Sequence, residues 1–293
     1  MAAAGRATEE SEGIMGSESG HRVSLQGKKL VVVGATAGIG KQAAIDMVAM
    51  GGDVVFAGRS EEKLAEALHA AGGGFGVIAD IAEPEDCERL VAESVAHLGG
   101  TIDLLLIVVG VSRLGLVKDA GPELWRQCLL TNVMGPALVT RAAIPHLTPN
   151  AFVGYFSSES VGMPYHGLVP YGTSKAALEE MVRGVRAEHP EFRISCLRVG
   201  ATSDTEFARD FDPGLAAELT QKWVERGNIP TNLMTAQGLG KAIARICALA
   251  LQFGEIDFQE LDLRGTGGPM YGSIDSLMAQ LEASATEAHR FDG

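Results

Sequence analysis

A tyrosine and a lysine four residues apart, Tyr171 and Lys175, form the pair in this sequence best suited to proton transfer. On a helix, positions i and i+4 lie on one face with their Cβ atoms ~5–6 Å apart, so both side chains share a surface. A free tyrosine has a pKa of about 10, and a neighbouring ammonium lowers that value by favouring the phenolate. The pair therefore predicts general acid–base chemistry.

Ser158 lies thirteen residues before Tyr171, at the end of a predicted strand. Its hydroxyl can donate a hydrogen bond to the same carbonyl oxygen that Tyr171 would protonate. Serines in the cluster at 157–160 also suit the capping of turns, and it is the offset to Tyr171 that favours a chemical role. Because a tyrosine and a lysine at this spacing are common by chance, an assignment needs further motifs.

A glycine-rich loop follows the first predicted strand and precedes a helix. It contains Gly34, Thr36, Ala37, Gly38, Ile39 and Gly40. Glycines at these positions permit a tight turn, close approach of the backbone to a pyrophosphate, and close packing of helix on strand. Backbone N–H groups at the start of the helix would face the anion. The loop predicts a dinucleotide site, and a tight turn without a ligand is the less favoured interpretation.

The ends of the second and third predicted strands indicate which dinucleotide binds. Gly58 and Arg59 stand where an NAD-binding chain would carry a carboxylate for the ribose 2′-hydroxyl. Arg59 can pair with a 2′-phosphate through its planar guanidinium, so NADP is favoured over NAD, with a solvated arginine as the alternative. Asp80, followed by Ile81, either accepts a hydrogen bond from the adenine amino group or serves as an ordinary turn aspartate.

The elements that must position these residues alternate between short β-branched runs and longer helical stretches. Six apolar, almost unalternated runs predict strands buried on both faces, at residues 30–33, 54–56, 75–79, 104–109, 151–156 and 194–199. Helices are predicted at residues 39–50, 61–70, 84–98, 123–147, 171–188 and 236–251. Repeated βα units predict an α/β fold, a single Rossmann-type doubly wound parallel sheet with helices on both faces.

A seventh strand is predicted near Glu260–Leu263, after the last helix. The 36 residues from 200 to 235 are too long for a plain connection, and they predict short helices that form a lid over a strand end. Tyr165 and His166 are interpreted as loop residues rather than substrate contacts. The lid side chains that indicate an apolar substrate are Phe207, Phe211, Leu215, Leu219 and Trp223.

Length and composition indicate one soluble domain. Of the 293 residues, 1–24 read as a flexible N-terminal tail, 25–272 as the catalytic domain, and 273–293 as an acidic C-terminal tail. The formal charge of −13 disfavours nucleic acid and anionic membranes as partners. We expect a cytoplasmic protein, because the longest apolar runs have six residues, against the ~20 that a membrane span needs.

The four cysteines and seven histidines are dispersed along the chain. Cys87, Cys128, Cys196 and Cys247 lack the short spacing of zinc or redox motifs, and we expect reduced thiols in the core. The histidines show no HExxH pattern, so we expect no metal. The GxSxG signature of serine hydrolases is also absent from the sequence, which removes that indication of acyl transfer.

Taken together, the motifs in residues 25–268 resemble those of the short-chain dehydrogenases/reductases. The matching residues, in the order and approximate spacing of that family, are Gly34, Gly38, Gly40, Asp80, Asn132, Ser158, Tyr171 and Lys175. The resemblance implies an NAD(P)(H)-dependent oxidoreductase that interconverts a small-molecule alcohol and carbonyl, usually as a homotetramer or homodimer. Tyr171 would be the general acid/base and Ser158 would orient the carbonyl. Lys175 would lower the tyrosine pKa and bind the nicotinamide ribose, and Asn132 would hold a water in the proton relay.

The sequence departs from the family pattern at two strand ends. Residues 107–110 read Ile-Val-Val-Gly where the family usually has Asn-Asn-Ala-Gly, so Gly110 alone remains, and backbone approach to the cofactor is still possible there. After the sixth strand, Val199-Gly200 replaces Pro-Gly, and the threonine that meets the carboxamide is Thr202 or, in another register, Thr205.

These departures keep other functions open. One alternative is a catalytically weak dinucleotide-binding sensor or scaffold, although such a protein has no physical need for a lysine aimed at a tyrosine. Another is a ketoreductase for carrier-bound acyl chains, which requires a basic docking face. The formal charge of −13 makes this last function less attractive.

Overall fold

Seven parallel strands form the central sheet of the computed structural model, which describes residues 23–270. Together with a separate two-stranded pair, the strands in this part of the chain are β1 Lys29–Val33, β2 Asp53–Gly58, β3 Phe75–Ile78, β4 Ile102–Ile107, β5 Leu147–Ser158, β6 Arg193–Val199, β7 Thr202–Ser203, β8 Met234–Thr235 and β9 Glu260–Leu263. The sheet order is β3–β2–β1–β4–β5–β6–β9, while β7 and β8 pair separately. The predicted seventh strand at Glu260–Leu263 is confirmed, at the edge beside β6.

Helices cover both faces of this sheet. They are α1 Gly38–Ala49, α2 Glu61–Ala71, α3 Pro84–His97, α4 Pro122–Leu129, α5 Gly135–Ala143, α6 Val169–Glu188, α7 Pro213–Glu225 and α8 Ala236–Gln252. The buried side chains of α1, α2 and α8 pack against one face, and those of α3, α5 and α6 against the other. The prediction of a doubly wound parallel sheet is therefore confirmed. Within residues 23–270, no helix combines the length and apolarity that crossing a bilayer would need.

The prediction of a single helix at residues 123–147 is wrong. Helix α4 ends at Leu129, a π-helical turn covers Leu130–Met134, and α5 ends at Ala143 before a 3-10 turn and β5. Two prolines account for the breaks, because Pro136 and Pro145 have no N–H to donate to the carbonyl four residues earlier. The strand that follows begins at residue 147 rather than at 151.

The predicted lid at residues 200–235 folds into short elements. After β7 come a 3-10 turn at Glu206–Ala208, helix α7 and β8. Its apolar side chains form a separate cluster with the loop before α6, and Tyr171 belongs to this cluster. Of the two predicted tails, only residues 23 and 24 fall within the described range, so the domain boundaries stay predictions.

An ion pair with a buried carboxylate joins α6 to β6, the strand beside the edge strand β9. The guanidinium of Arg198 on β6 donates through Nε and Nη2 to the two oxygens of Glu179, at 2.8 and 2.7 Å. Ser157 donates to the same carboxylate at 2.7 Å. Burial raises the pKa of the Glu179 carboxyl, but the hydrogen bonds from Arg198 and Ser157 outweigh burial and hold it below its usual range. The carboxylate is thus kept charged one helical turn after Lys175.

Replacing Arg198 with alanine should destabilise the fold by about 3 kcal/mol, because it leaves the buried Glu179 charge without its partner. The wild-type pair contributes stability above the unfolded pKa of the carboxyl, and that contribution is lost as the pH falls through the depressed folded pKa. Denaturant unfolding of both proteins from neutral to acidic pH checks this.

As a matched control, Arg183→Ala removes an exposed pair with Glu180 on the same helix and should leave the unfolding free energy almost unchanged. Equal stability of Arg198→Ala and Arg183→Ala would contradict the structural role of the Arg198–Glu179 pair.

Candidate active site

A cavity of about 780 Å³ opens at the carboxyl edge of the sheet. In open α/β sheets ligands bind at this edge, where the strand order reverses, which here is between β1 and β4. Most of the residues selected from the sequence line it: Gly34, Thr36, Ala37, Gly38, Ile39, Gly40, Arg59, Asp80, Ile81, Gly110, Ser158, Tyr171, Lys175 and Thr202. Of the predicted site residues, only Asn132 does not line the cavity.

The glycine loop has the backbone that a dinucleotide requires. Gly34 has φ +93°, and a Cβ at this residue would overlap the carbonyl oxygen of Val108. A Cβ at Gly40 would likewise overlap the carbonyl oxygen of Gly34. Ala37 precedes α1 without a side-chain cap, so the first N–H groups of the helix are left to face the cavity. This cradle fits a pyrophosphate.

Three cations lie together where the loop meets the lid, and we call them the cation cluster: Arg59, Lys63 and Arg209. Arg59 is 3.4 Å from Asp80. Glu206 of the lid pairs with both Lys63 and Arg209, the latter at 2.8 Å. All five side chains line one small pocket with Thr36 and Ser60. Sequence reasoning missed Lys63 and Arg209, because the contact between Lys63 and Glu206 joins residues 143 positions apart.

Lys175 is fixed by backbone carbonyls at the ends of two strands. Its ammonium donates to the carbonyl oxygens of Val109 at 2.9 Å and Phe156 at 2.7 Å. Burial lowers the pKa of the lysine to about 8. Although residues 107–110 are unusual in sequence, Val109 still provides a backbone carbonyl oxygen to the Lys175 ammonium. Gly110 lies directly against the Lys175 side chain.

Tyr171 and Ser158 face each other in the cavity. Burial raises the pKa of Tyr171 to about 12, while a hydrogen bond with Ser158 acts in the opposite direction. The Lys175 ammonium is 5.9 Å from the centroid of the tyrosine ring. Burial has the larger effect on the Tyr171 pKa, and the Lys175 ammonium is itself bound to two carbonyls, so the lowering of that pKa by Lys175 stays a prediction.

Asn132 lies in the π-helical turn and is completely buried. Its Oδ1 accepts from the N–H of Val111 at 2.8 Å, and its Nδ2 donates to the Val111 carbonyl at 3.0 Å and to Ser174 at 2.9 Å. Both amide hydrogens are therefore used inside the protein. The side chain thereby ties the segment after β4 to α6, and its expected role in holding a water stays a prediction.

Tyr165 lies in the loop between β5 and α6, as predicted, and it also lines the cavity. Its hydroxyl is 2.6 Å from Oε1 of Glu159 and 2.7 Å from the carbonyl oxygen of Asn228. The same Glu159 oxygen accepts from the N–H of Ala201 at 2.9 Å. Burial, followed by the adjacent Glu159 charge, raises the pKa of Tyr165 well above its usual range. Nothing in the spacing of these residues could have indicated this network.

The lid closes the cavity from above. The hydroxyl of Thr202 donates to the carbonyl of Gly200 at 2.9 Å, and Thr205 lies against Gly38 of the loop, so both candidate threonines reach the cavity wall. The ring of Phe207 packs edge-on against Tyr171, with centroids 5.1 Å apart. Of the five apolar lid residues selected from the sequence, Phe207 and Trp223 line the cavity, and the others pack in the lid cluster.

The depressed pKa of Lys175 predicts a pH-dependent contribution to stability. In the unfolded chain a lysine keeps its proton up to pH ~10.4, whereas in the fold it does so only up to about 8. Between these values the unfolded state holds more protons, so the unfolding free energy should rise with pH, by up to about 3 kcal/mol relative to Lys175→Met.

Denaturant unfolding of the wild type and Lys175→Met across this pH range measures the difference directly. Lys28→Met, which removes a different lysine and so reports the general effect of losing one positive charge, serves as the control. A difference between wild type and Lys175→Met that is constant with pH would contradict the burial of a titrating ammonium.

Known proteins resemble this chain in sequence. The family model described as short chain dehydrogenase matches residues 28–215. Human dehydrogenase/reductase SDR family member 4 is 32% identical over 197 residues, which make up 64% of this chain and 70% of that protein. Trihydroxynaphthalene reductase from Pestalotiopsis fici is 29% identical over 245 residues, or 79% of this chain and 86% of that protein.

Solved structures share the fold. A short chain dehydrogenase from Burkholderia cenocepacia, in complex with NADP, has a TM-score of 0.70 at 24% identity, covering 82% of this chain and 98% of that one. An alcohol dehydrogenase from Thermococcus sibiricus has a TM-score of 0.68 at 20% identity, with 82% and 97% covered. Because the family model matches more than half of the chain, this protein belongs to the short-chain dehydrogenases, a family of NAD(P)-dependent oxidoreductases.

Proposed function

We propose that this protein is an NADP(H)-preferring oxidoreductase that interconverts an apolar small-molecule alcohol and its carbonyl. The observation that carries the proposal is the placement of Ser158 and Tyr171 on one wall of the cavity, with the buried Lys175 ammonium 5.9 Å from the centroid of the tyrosine ring. No other group of described residues at this wall combines a proton donor, a second hydroxyl and a fixed cation.

The residues around the glycine loop fit a nicotinamide dinucleotide. Gly34, Gly38 and Gly40 would bring the backbone to its pyrophosphate, with Gly110, Thr202 and Lys175 further along the cavity. When bound, the nicotinamide ring donates a hydride to the carbonyl carbon or accepts one from the alcohol. The protein's own part is to hold the substrate oxygen and move a proton to or from it.

Tyr171 is the proposed general acid in reduction. With a pKa of about 12 it keeps its proton at neutral pH and can donate it to the substrate oxygen. Ser158 is the proposed second donor, because its Oγ already accepts from the N–H of Ser160 at 3.1 Å and so has its own hydrogen available. In oxidation Tyr171 would receive the proton, and the positive charge of Lys175 would stabilise the phenolate that this requires.

The preference for NADP(H) is supported by the cation cluster. Arg59, Lys63 and Arg209 bring three cationic side chains to one place, where they pair with the carboxylates of Asp80 and Glu206 and, for Arg209, also with Asp210 at 3.1 Å. Arginine offers a planar fork that matches phosphate oxygens, and lysine a compact charge. A ribose 2′-hydroxyl gains less from these three cationic side chains than a 2′-phosphate does, because only the phosphate carries a charge.

The alternative of a catalytically weak dinucleotide-binding protein is not favoured. Burial of the Lys175 ammonium is costly, and Lys175, Tyr171 and Ser158 line one cavity. A cytoplasmic location, a flexible N-terminal tail and assembly into a homodimer or homotetramer remain predictions from composition and resemblance. Light scattering of the purified protein tests the assembly.

Replacing Tyr171 with phenylalanine should lower kcat by about a hundredfold or more on any carbonyl substrate, since it removes the proton donor and keeps the ring. NADPH binding should be preserved, because the variant leaves Lys175 and the glycine loop unchanged. Turnover assays together with cofactor fluorescence measure the two effects separately. Normal turnover by Tyr171→Phe would overturn the proposed role.

Removing Arg59 or Lys63 should weaken NADPH binding by about tenfold or more, which corresponds to one lost charge-assisted hydrogen bond. NADH binding should change little, because NADH has no 2′-phosphate. Fluorescence titrations of Arg59→Ala and Lys63→Ala with both cofactors measure the ratio of dissociation constants.

The matched control for these two variants is Arg89→Ala, which removes a surface arginine on α3, a helix whose residues do not line the pocket of the cation cluster. It should leave both dissociation constants unchanged. Parallel loss of NADPH and NADH affinity in Arg59→Ala would argue against recognition of the 2′-phosphate by this residue.

A further inference from the structure

A carboxylate of the lid, Glu206, lies among the side chains of the cation cluster. It pairs with the ammonium of Lys63 on α2 and, at 2.8 Å, with the guanidinium of Arg209. All three side chains line the pocket of the cation cluster, together with Arg59. Carboxylates and phosphates accept hydrogen bonds from the same lysine and arginine donors. Glu206 therefore uses two of the three cations that a phosphate in this pocket would meet.

The other carboxylate of this pocket, Asp80, is held by backbone of the turn after β3. Its Oδ1 accepts from the N–H of Ala82 at 3.0 Å, and its Oδ2 lies 3.4 Å from Arg59. The Glu206 carboxylate instead pairs with the ends of two long side chains on the lid and on α2. Of the two carboxylates, Glu206 is therefore the one that an incoming phosphate can displace.

The neighbours of Glu206 in the chain place it beside the pocket. Glu206 begins the 3-10 turn of the lid. Thr205 before it lies against Gly38 of the glycine loop, and Phe207 after it packs edge-on against Tyr171, with ring centroids 5.1 Å apart. These two contacts fix the backbone of the turn, so the Glu206 side chain can pair with the cations or leave them while the turn stays in place.

The ion pair between Glu206 and Lys63 is open to solvent, with 39% and 38% of the two side chains exposed. Exposed ion pairs contribute little free energy, so the exchange of one partner costs little. A phosphate monoester carries a charge of about −1.5 to −2 at pH 7, more than a single carboxylate, and attracts both cations more strongly. NADP(H) carries such a group on its ribose, and NAD(H) carries a hydroxyl there.

From this arrangement we infer that Glu206 is a residue that determines cofactor specificity. Its carboxylate holds Lys63 and Arg209 in place of a 2′-phosphate, and NADP(H) takes over both cations and breaks the contact of Glu206 with α2. NAD(H) leaves that contact intact. The inference rests on the proposed function, because it requires the cation cluster to recognise the 2′-phosphate.

Glu206→Gln keeps the shape of the side chain and removes the competing charge. We expect the dissociation constant of NADPH to fall by about fivefold, the effect of removing an exposed ion pair that competes for the cations. The dissociation constant of NADH should change little, because NADH has no phosphate to place there. Fluorescence titrations of the wild type and the variant with both cofactors measure the two constants.

Glu93→Gln is the matched control. Glu93 is similarly exposed, at 44%, and pairs with Arg89 on α3, outside the cavity and the pocket of the cation cluster. It reports the general effect of removing one negative charge from an anionic protein, and it should leave the ratio of the NADPH and NADH dissociation constants unchanged. Unfolding midpoints of both glutamine variants identify any change that comes from misfolding.

A cross-linking experiment on the wild type tests the displacement itself. A carbodiimide joins a lysine amine to a carboxylate that touches it, without adding atoms, so it should link Lys63 to Glu206. Saturating adenosine 2′-phosphate should abolish this link, whereas its isomer adenosine 5′-phosphate should leave it in place. Lys222 and Glu218, 2.6 Å apart on α7, form the internal control, whose link neither nucleotide should change. Mass spectrometry of peptides measures both yields.

A Lys63–Glu206 link that survives adenosine 2′-phosphate would overturn the inference and leave the proposed function intact. The same holds for a Glu206→Gln variant whose NADPH affinity is not raised, or is raised equally for NADH. Equal binding of NADPH and NADH by the wild type would contradict the proposed preference for NADP(H) and the inference together.

Discussion

The contact between the Lys175 ammonium and two backbone carbonyls holds the active-site region together. Val109, two residues after β4, and Phe156, near the end of β5, supply those carbonyls, so one side chain from α6 is bonded to the ends of two adjacent strands. A buried ammonium is costly unless it is hydrogen-bonded. Tyr171, four residues earlier on the same helix, is thereby fixed over the same strand ends.

Two further contacts support this arrangement from behind, and the lid supports it from outside. Asn132 joins Val111 to Ser174, which fixes the chain after β4 against α6. Arg198 and Glu179 join β6 to the next turn of α6. The lid completes the site from outside, with Phe207 on the ring of Tyr171 and Glu206 on the cation cluster. One short lid segment thus contacts both the reacting end and the cofactor end of the cavity.

The sequence was sufficient for local patterns and insufficient for long-range pairs. The sheet followed from buried apolar runs, its seventh strand from a segment after the last helix, and the glycine loop from the spacing of its glycines. The prediction of one helix across residues 123–147 failed because it gave more weight to the apolar spacing than to Pro136 and Pro145, which interrupt the helix. The pairing of Lys63 with Glu206 and the hydrogen bonds of Asn132 to Val111 and Ser174 depend on contacts between distant segments, which no spacing reveals.

The most direct test of the central claim is transfer of deuterium from NADPH labelled at the reactive nicotinamide carbon, with each of the two stereospecific labels in turn. The enzyme is incubated with a mixture of neutral ketones, and the products are analysed by mass spectrometry. The account predicts an alcohol with one deuterium on the carbinol carbon from one label and none from the other. Tight NADPH binding without deuterium in any product would contradict it.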